Sequence, residues 1–421
     1  MADRVWRVLV FYSDYGDGHR HAAEAIAEAI RAREASVEVA VLDFMRETHP
    51  FLHPLMRRSF INTLKYFPDM YRFAYQRTRA QSDAPLLDWF TSMGERRMLQ
   101  YIAQTMPDVV VSAHPFAAQG MAYLRREGWL AVPAITVITD HSDHRYWLAE
   151  GTSLYLVGSE MVRARLVAHG VPETDVVVTG IPVSLKFMQA PSSQEARRAL
   201  EIPPERKVVL VMGGGLGMID NAIQLLKALG ALDVEVLFIT GRNVRLRKEA
   251  EKMTARKRLR ARIYGYVEEM ERFMAAADVI ITKPGGLTTT EALALGLPLV
   301  LYSPLPGQEE DNAAYLISHG AAVWADSAQE AASWVRTLIE APEKLSSLRR
   351  CAAALGRPDA AWQAAGIILE TMRTPRPAHE GPRAAFRSAI RRTSTRALPA
   401  PRAEGPSLDH WPSDWIWADG T

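Results

Sequence analysis

One cysteine, Cys351, stands in a chain of 421 residues. That excludes an intramolecular disulfide and any cysteine-rich zinc motif, and it fits a reducing compartment. No apolar run reaches the roughly 18 residues that a membrane-spanning helix needs. The amino terminus opens on a strand-like run, Val5 to Tyr12, and shows no basic region, apolar core and small-residue cleavage site of a signal peptide. The net charge is only +2, which gives no ground for a nucleic-acid partner. Neither a Gly-X-Ser-X-Gly nucleophile elbow nor a Walker phosphate loop occurs. These absences point to a cytoplasmic protein, at most peripheral to a membrane.

What is present is a globular composition, 48% hydrophobic, at a length that suits two domains. Short apolar runs alternate with amphipathic stretches, the pattern of repeated β-α units on a parallel sheet. Strand candidates are Val5–Tyr12, Val109–Val111, Ala134–Ile138, Leu154–Val157 and Val176–Val178. A second series runs through Lys207–Met212, Val234–Ile239, Val279–Ile281 and Leu299–Tyr302. The fold class is α/β, two Rossmann-like doubly wound domains facing a cleft. The domains are 1–190, with a helical insertion at 46–100, and 191–372 with its closing helices. Residues 373–421, rich in Pro, Ala and Arg, read as a disordered basic tail.

Ligands of such folds bind at the carboxyl ends of strands, and several strand-to-helix turns carry chemistry there. In Ser13-Asp14-Tyr15-Gly16-Asp17-Gly18-His19, His19 stands at a helix start, where the dipole favours a neutral imidazole. Met212-Gly213-Gly214-Gly215-Leu216-Gly217 gives a backbone that a diphosphate can approach closely. In Thr282-Lys283-Pro284-Gly285-Gly286-Leu287-Thr288-Thr289-Thr290-Glu291 a rigid turn leads into a helix among threonines suited to capping it. Its amides offer an anion site, and Glu291 can accept from ribose hydroxyls. Pro306-Gly307-Gln308-Glu309, with Asn312, offers partners for sugar hydroxyls. Taken singly, each segment reads equally as an ordinary capped helix or solvated loop. Thr139-Asp140-His141-Ser142-Asp143-His144 has no metal-ligand spacing, so acceptor positioning, or support of His19 by Asp140, is the better reading, and no metal or other cofactor is expected.

In order and spacing these segments resemble the lipid glycosyltransferases that include monogalactosyldiacylglycerol synthases and bacterial processive diacylglycerol glucosyltransferases. The bacterial peptidoglycan N-acetylglucosaminyltransferase is a more distant relative. The resemblance spans residues 8 to 370. Further anchors are Ser112-Ala113-His114-Pro115, Thr179-Gly180-Ile181-Pro182-Val183, Thr240-Gly241-Arg242-Asn243 and Tyr264-Gly265-Tyr266-Val267. It implies a GT-B fold and an inverting, metal-independent hexosyl transfer from UDP-glucose or UDP-galactose to diacylglycerol. It further implies that His19 is the general base, Glu291 holds ribose and Val267 lies by the uracil. Gln308, Glu309 and Asn312 then face the donor sugar, and the segments at Gly214-Gly215 and Thr282–Gly286 cradle the diphosphate. Two departures stand out: Asp17 interrupts a run that is usually all glycine, and Ser184-Leu185 stands where relatives carry Arg-Pro, leaving Arg242 as the substitute cation.

The insertion interleaves basic and apolar residues (Phe51, Met56-Arg57-Arg58, Leu64-Lys65-Tyr66-Phe67, Met70-Tyr71-Arg72-Phe73), as in a helix lying on an anionic membrane. It reads otherwise as a helical subdomain with its apolar face buried. The leading expectation is glycolipid synthesis at the inner face of the cell membrane. The rivals are a glycosyltransferase with another lipid-linked or soluble acceptor, a sugar-nucleotide epimerase of similar fold, and a non-catalytic UDP-sugar-binding membrane protein.

Overall fold

A computed structural model describes residues 4–80 and 85–374; the tail reading for residues 375–421 falls outside that range. Hydrophobic β-branched runs form strands buried on both faces, as a parallel sheet covered by helices requires. In the first domain the chain runs β1 (Arg7–Tyr12), α1 (Asp17–Arg33), β2 (Glu38–Asp43), α2 (Phe44–Thr48), α3 (His53–Tyr66), α4 (Pro68–Ala80) and α5 (Pro85–Thr105). It continues through β3 (Val109–Ser112), α6 (Pro115–Arg126), β4 (Ala134–Val137), β5 (Leu154–Val157), α7 (Glu160–Ala168) and β6 (Val176–Val178). All neighbours are parallel, in the order β2-β1-β3-β4-β5-β6.

The second domain runs α8 (Ser193–Ala199), β7 (Val208–Met212), α9 (Ala222–Leu229), β8 (Glu235–Ile239), α10 (Val244–Lys257), β9 (Ala261–Tyr264), α11 (Met270–Ala276) and β10 (Val279–Thr282). Then follow α12 (Gly286–Ala294), β11 (Leu299–Tyr302), α13 (Gln308–Ser318), β12 (Ala322–Ala325), α14 (Ala328–Glu340), α15 (Pro342–Leu355) and α16 (Ala360–Arg373). Its parallel sheet has the order β12-β11-β10-β7-β8-β9. Each sheet reverses winding direction once, between β1 and β3 and between β7 and β10, and a ligand crevice opens at such a point. The loops after these four strands are the ones that hold Ser13–Gly16, Ala113-His114, Gly213–Gly217 and Lys283–Gly285.

The helix that closes the described chain crosses back. Ala361, Ala364, Ala365, Ile368 and Leu369 of α16 would be solvent-exposed on their own, yet they pack with Ala23, Ile26 and Ile30 of α1 in the core of the first sheet.

 Leu369 is 5% exposed there and Ile368 fully buried. The outgoing crossover at Gly180 lies directly against the returning one at Arg357 and Ala360, so both connections between the domains run side by side. No helix among the described residues is long and apolar enough to cross a membrane.

Candidate functional site

His19 stands in the first turn of α1, which opens at Asp17 without any side-chain cap. Its Nδ1 lies 3.0 Å from the Ala113 carbonyl oxygen and 2.8 Å from Thr139 Oγ1. A carbonyl only accepts, so Nδ1 carries the proton and Nε2 keeps its lone pair. The ring packs edge-on against His114 at 4.7 Å and tilted to Trp147 at 6.2 Å. Burial pulls the imidazole down from 6.5 to about 4, outweighing the upward pull of the Ala113 hydrogen bond. The ring is therefore neutral at physiological pH, with a basic nitrogen that makes no hydrogen bond among the described residues.

Asp140 is buried and accepts a hydrogen bond from the Ser142 amide at 3.0 Å. Burial pushes its carboxyl up to about 7, against the downward pull of the Ser142 amide and the Trp147 side chain. Its reach to His19 is indirect: it bonds Trp147, which packs on the His19 ring, whereas Thr139 bonds the ring itself. The Thr139 contact and the Ala113 carbonyl escape a reading of side chains by type. One is a hydroxyl next to a more conspicuous acid, and the other is backbone.

Across the cleft, α12 starts at Gly286 after the turn Lys283–Gly285, again with no side-chain cap. The expectation of threonine capping is corrected here. Thr289 donates to the Gly285 carbonyl at 2.9 Å and Thr290 to the Gly286 carbonyl at 2.7 Å, so both back-bond within the helix. The first amides of α12 thus stay free of side-chain partners, as an anion site requires. A β-carbon at Gly286 would run into the Thr139 carbonyl, and one at Gly18 would touch Leu287 at 3.6 Å. The uncapped starts of α1 and α12 therefore meet at the domain junction.

Around them stand the other candidates. Thr282 is fully buried at the end of β10, and Pro284 is buried beside it. Lys283 Nζ forms an ion pair with Glu309, which also accepts from the Leu305 amide at 2.7 Å. Asn312 is completely buried; its Nδ2 donates to the Pro284 carbonyl at 3.0 Å and its Oδ1 accepts from the His141 amide at 2.7 Å. Of the three residues expected at the donor sugar, Gln308 alone keeps its side chain free of hydrogen bonds among the described residues. Glu309 and Asn312 are committed within the protein.

Glu291 lies on α12 with no hydrogen bond to its carboxylate from the described residues, and burial, helped by Glu271, pushes it up to about 8. Val267 is partly buried against the core of the second domain. Gly214 and Gly215 form the loop after β7, and Gly214 adopts φ 72°, which a side chain disfavours. Arg242 lies beside that loop, its amide donating to the Gly215 carbonyl at 2.9 Å. Its guanidinium stands 4.1 Å over the Tyr266 ring and donates to Asp17 Oδ2 at 2.7 Å. Among the described residues no group of three or more His, Cys, Asp or Glu is arranged to hold a metal ion.

One set of contacts was not foreseen in the sequence. Helix α4, from the insertion, reaches α13 of the second domain. Arg72 donates to Glu310 at 3.0 Å, Tyr75 to Asp311 at 3.0 Å, and Arg79 to Asp311 at 2.9 Å. Arg79 also pairs with Asp143. Residues 72, 75 and 79 share one helix face by their spacing, which was the signal available. The face was obscured by the apolar residues between them.

The monogalactosyldiacylglycerol (MGDG) synthase family model matches residues 19–183, starting on His19. The glycosyltransferase family 28 C-terminal domain matches residues 208–361, starting at the first residue of β7. A processive diacylglycerol beta-glucosyltransferase of Bacillus cytotoxicus is 27% identical over 365 residues, covering 86% of this chain and 93% of its own. Among solved structures, MurG of Acinetobacter baumannii superposes with a TM-score of 0.58 at 19% identity, over 87% of this chain and 99% of MurG. HepE of Anabaena, in complex with UDP, gives 0.52 at 17% identity, over 87% of this chain and 100% of HepE. These structural likenesses establish the GT-B fold. With an MGDG synthase match followed by a family 28 C-terminal domain match on that fold, the chain resembles the monogalactosyldiacylglycerol synthases and processive diacylglycerol glucosyltransferases over most of its length.

Proposed function

We propose that this protein is an inverting glycosyltransferase that moves a hexose, glucose or galactose, from a UDP-sugar to diacylglycerol at an anionic membrane surface. The observation that carries the reading is the neutral His19, its Nδ1 proton held by Ala113 and its Nε2 lone pair free, set against the uncapped start of α12. In a single displacement Nε2 takes the proton of the acceptor hydroxyl as that oxygen attacks the sugar's anomeric carbon, and the departing UDP carries away the bonding pair. The free amides of α12, Lys283 and Arg242 supply fixed positive potential where that charge develops. Glu291 accepts from the ribose, Val267 lies by the uracil and Gln308 meets the sugar. Glu309 and Asn312 act through the backbone they hold. The relatives' names support a glucosyl donor and a diacylglycerol acceptor. The deciding assay presents diacylglycerol micelles and a panel of UDP-sugars to the purified protein and identifies the product. Binding of UDP without any transfer overturns the catalytic reading.

The Glu291 assignment has a pH signature. Its carboxyl is largely protonated below about 8, whereas two ribose hydroxyls bind best to the carboxylate. Below that pH, binding must therefore release a proton. UDP-glucose affinity is expected to rise with pH by up to about tenfold per unit until it levels off above about 8. Glu291→Gln should bind more weakly and without that slope. Calorimetric titration at several pH values is the check, and an equal slope in the variant removes Glu291 from the ribose site.

The membrane side rests on helices α3 and α4. Phe51, Leu55, Tyr66, Phe67, Met70 and Phe73 are all exposed, Phe51 at 90% and Phe73 at 63%, with Arg58 and Arg77 exposed beside them. Exposed apolar and basic side chains interleaved along this segment suit an anionic interface. Each such side chain contributes about 1.5–3 kcal/mol when fully buried. The triple variant Phe67→Ser, Met70→Ser, Phe73→Ser should accordingly lose at least about tenfold in vesicle flotation. Equal flotation of the native protein with neutral and anionic vesicles counts against the electrostatic part.

A further inference from the structure

Asp17 has no part in the chemistry above, yet it stands between two arginines of the cleft. Its Oδ2 accepts from Arg242 at 2.7 Å, and Arg20 stands 3.6 Å from Oδ1. The carboxylate lies directly on the glycine loop, so that a β-carbon at Gly215 would collide with Oδ2. One residue along, a β-carbon at Gly214 would touch Lys283 Cε at 3.6 Å. Arg242 is not free to follow a ligand elsewhere: its ring contact with Tyr266 and its amide bond to Gly215 fix it beside the loop. A guanidinium, a bare glycine backbone, a nearby lysine and the uncapped start of α1 make an anion cradle. The anion that sits in it is the protein's own.

We propose that Asp17 is an intramolecular competitor of the donor's diphosphate, contending for Arg242 and the Gly214-Gly215 loop and thereby setting donor affinity. The proposal rests on the reading of the donor as a nucleoside diphosphate sugar bound at that loop. A diphosphate and a carboxylate cannot both lie against one half-buried guanidinium without like-charge repulsion, so donor binding must move Asp17 off Arg242. The two states exchange one Arg–anion pair for another. That keeps the cleft cationic partner satisfied throughout and holds product UDP less tightly than a vacant cradle would. The alternative is that Asp17–Arg242 is a simple bolt between the domains, which predicts the opposite sign.

The test is binding of UDP and of uridine to native protein and to Asp17→Asn, each by titration, with Asp17→Gly as a second variant. The expected result is UDP binding roughly three- to tenfold tighter in both variants, with uridine binding unchanged because it carries no phosphate. UDP binding that is unchanged or weaker overturns the proposal. A parallel change in uridine affinity also overturns it, because it marks a rearranged cleft rather than a relieved contest. If the native protein binds neither UDP nor uridine, the donor reading itself fails, an outcome separate from either of these.

Discussion

His19→Ala should lower transfer by about 10²–10⁴-fold, the range by which a positioned general base contributes, while UDP affinity stays within about twofold, since the imidazole makes no anion contact that a diphosphate replaces. The turn after β1 delivers His19 to the first turn of α1, and the Ala113 carbonyl after β3 fixes which nitrogen bears the proton. Burial keeps the ring neutral, with its pKa lowered to about 4. The sign for pH follows: the base is lost only as pH falls through that value, so the acid limb of the rate profile attributable to His19 lies well below the 6.5 of an ordinary histidine. Steady-state kinetics in mixed micelles, with UDP binding measured on the same preparations, checks both parts. Turnover within twofold of native in His19→Ala removes the residue from the mechanism. Thr139→Val is the finer probe, since it leaves the imidazole in place and deletes one of its two Nδ1 partners.

The central strands were legible because each is an unbroken apolar run buried on both faces. Leu154–Val157 and Leu299–Tyr302 are read from sequence with the bounds that β5 and β11 have in the structure. Three strands were not read: β2, β9 and β12. All three lie at sheet edges; Glu38–Asp43 and Ala261–Tyr264 are mostly half-exposed, and charge bounds the short apolar run of the first at Glu38 and Asp43 and interrupts the second at Arg262. The candidate site was legible where its residues sit in a strand-to-helix turn, as at His19 and Lys283–Gly286, because turn composition and position in the chain both mark such a turn. It was not legible where function depends on contacts between distant segments. Asn312 has the composition of a sugar-binding residue, and only the fold places its amide between Pro284 and His141. The return of α16 to the first sheet is hidden for the same reason: an alanine-rich face does not say which sheet it covers.

Lys283→Ala should destabilise the protein by about 3–5 kcal/mol, the usual cost of leaving one partner of a buried ion pair unpaired. Lys283 and Glu309 have side chains only 15% and 7% exposed, so water cannot replace the lost ammonium at Glu309. Glu309 also holds the Leu305 amide at 2.7 Å, and Leu305 belongs to the loop that leads from β11 into Gln308. The defect therefore spreads from stability to the donor site: the loop that presents Gln308 loosens, and UDP-sugar affinity falls along with the unfolding temperature. A companion variant separates the two causes. In Lys283→Met with Glu309→Gln the charge left unpaired is gone, and the Gln oxygen still accepts from the Leu305 amide. Most of the lost stability should return, because replacing both members of a buried pair is often near neutral. Donor affinity should not return, since the cation proposed to face the diphosphate is still missing. Thermal unfolding and UDP titration of Lys283→Met, Glu309→Gln and the double form a complete cycle, whose coupling energy isolates the pair. Full recovery of UDP binding in the double variant would show that Lys283 acts only through Glu309, and would move the cationic work of the site to Arg242.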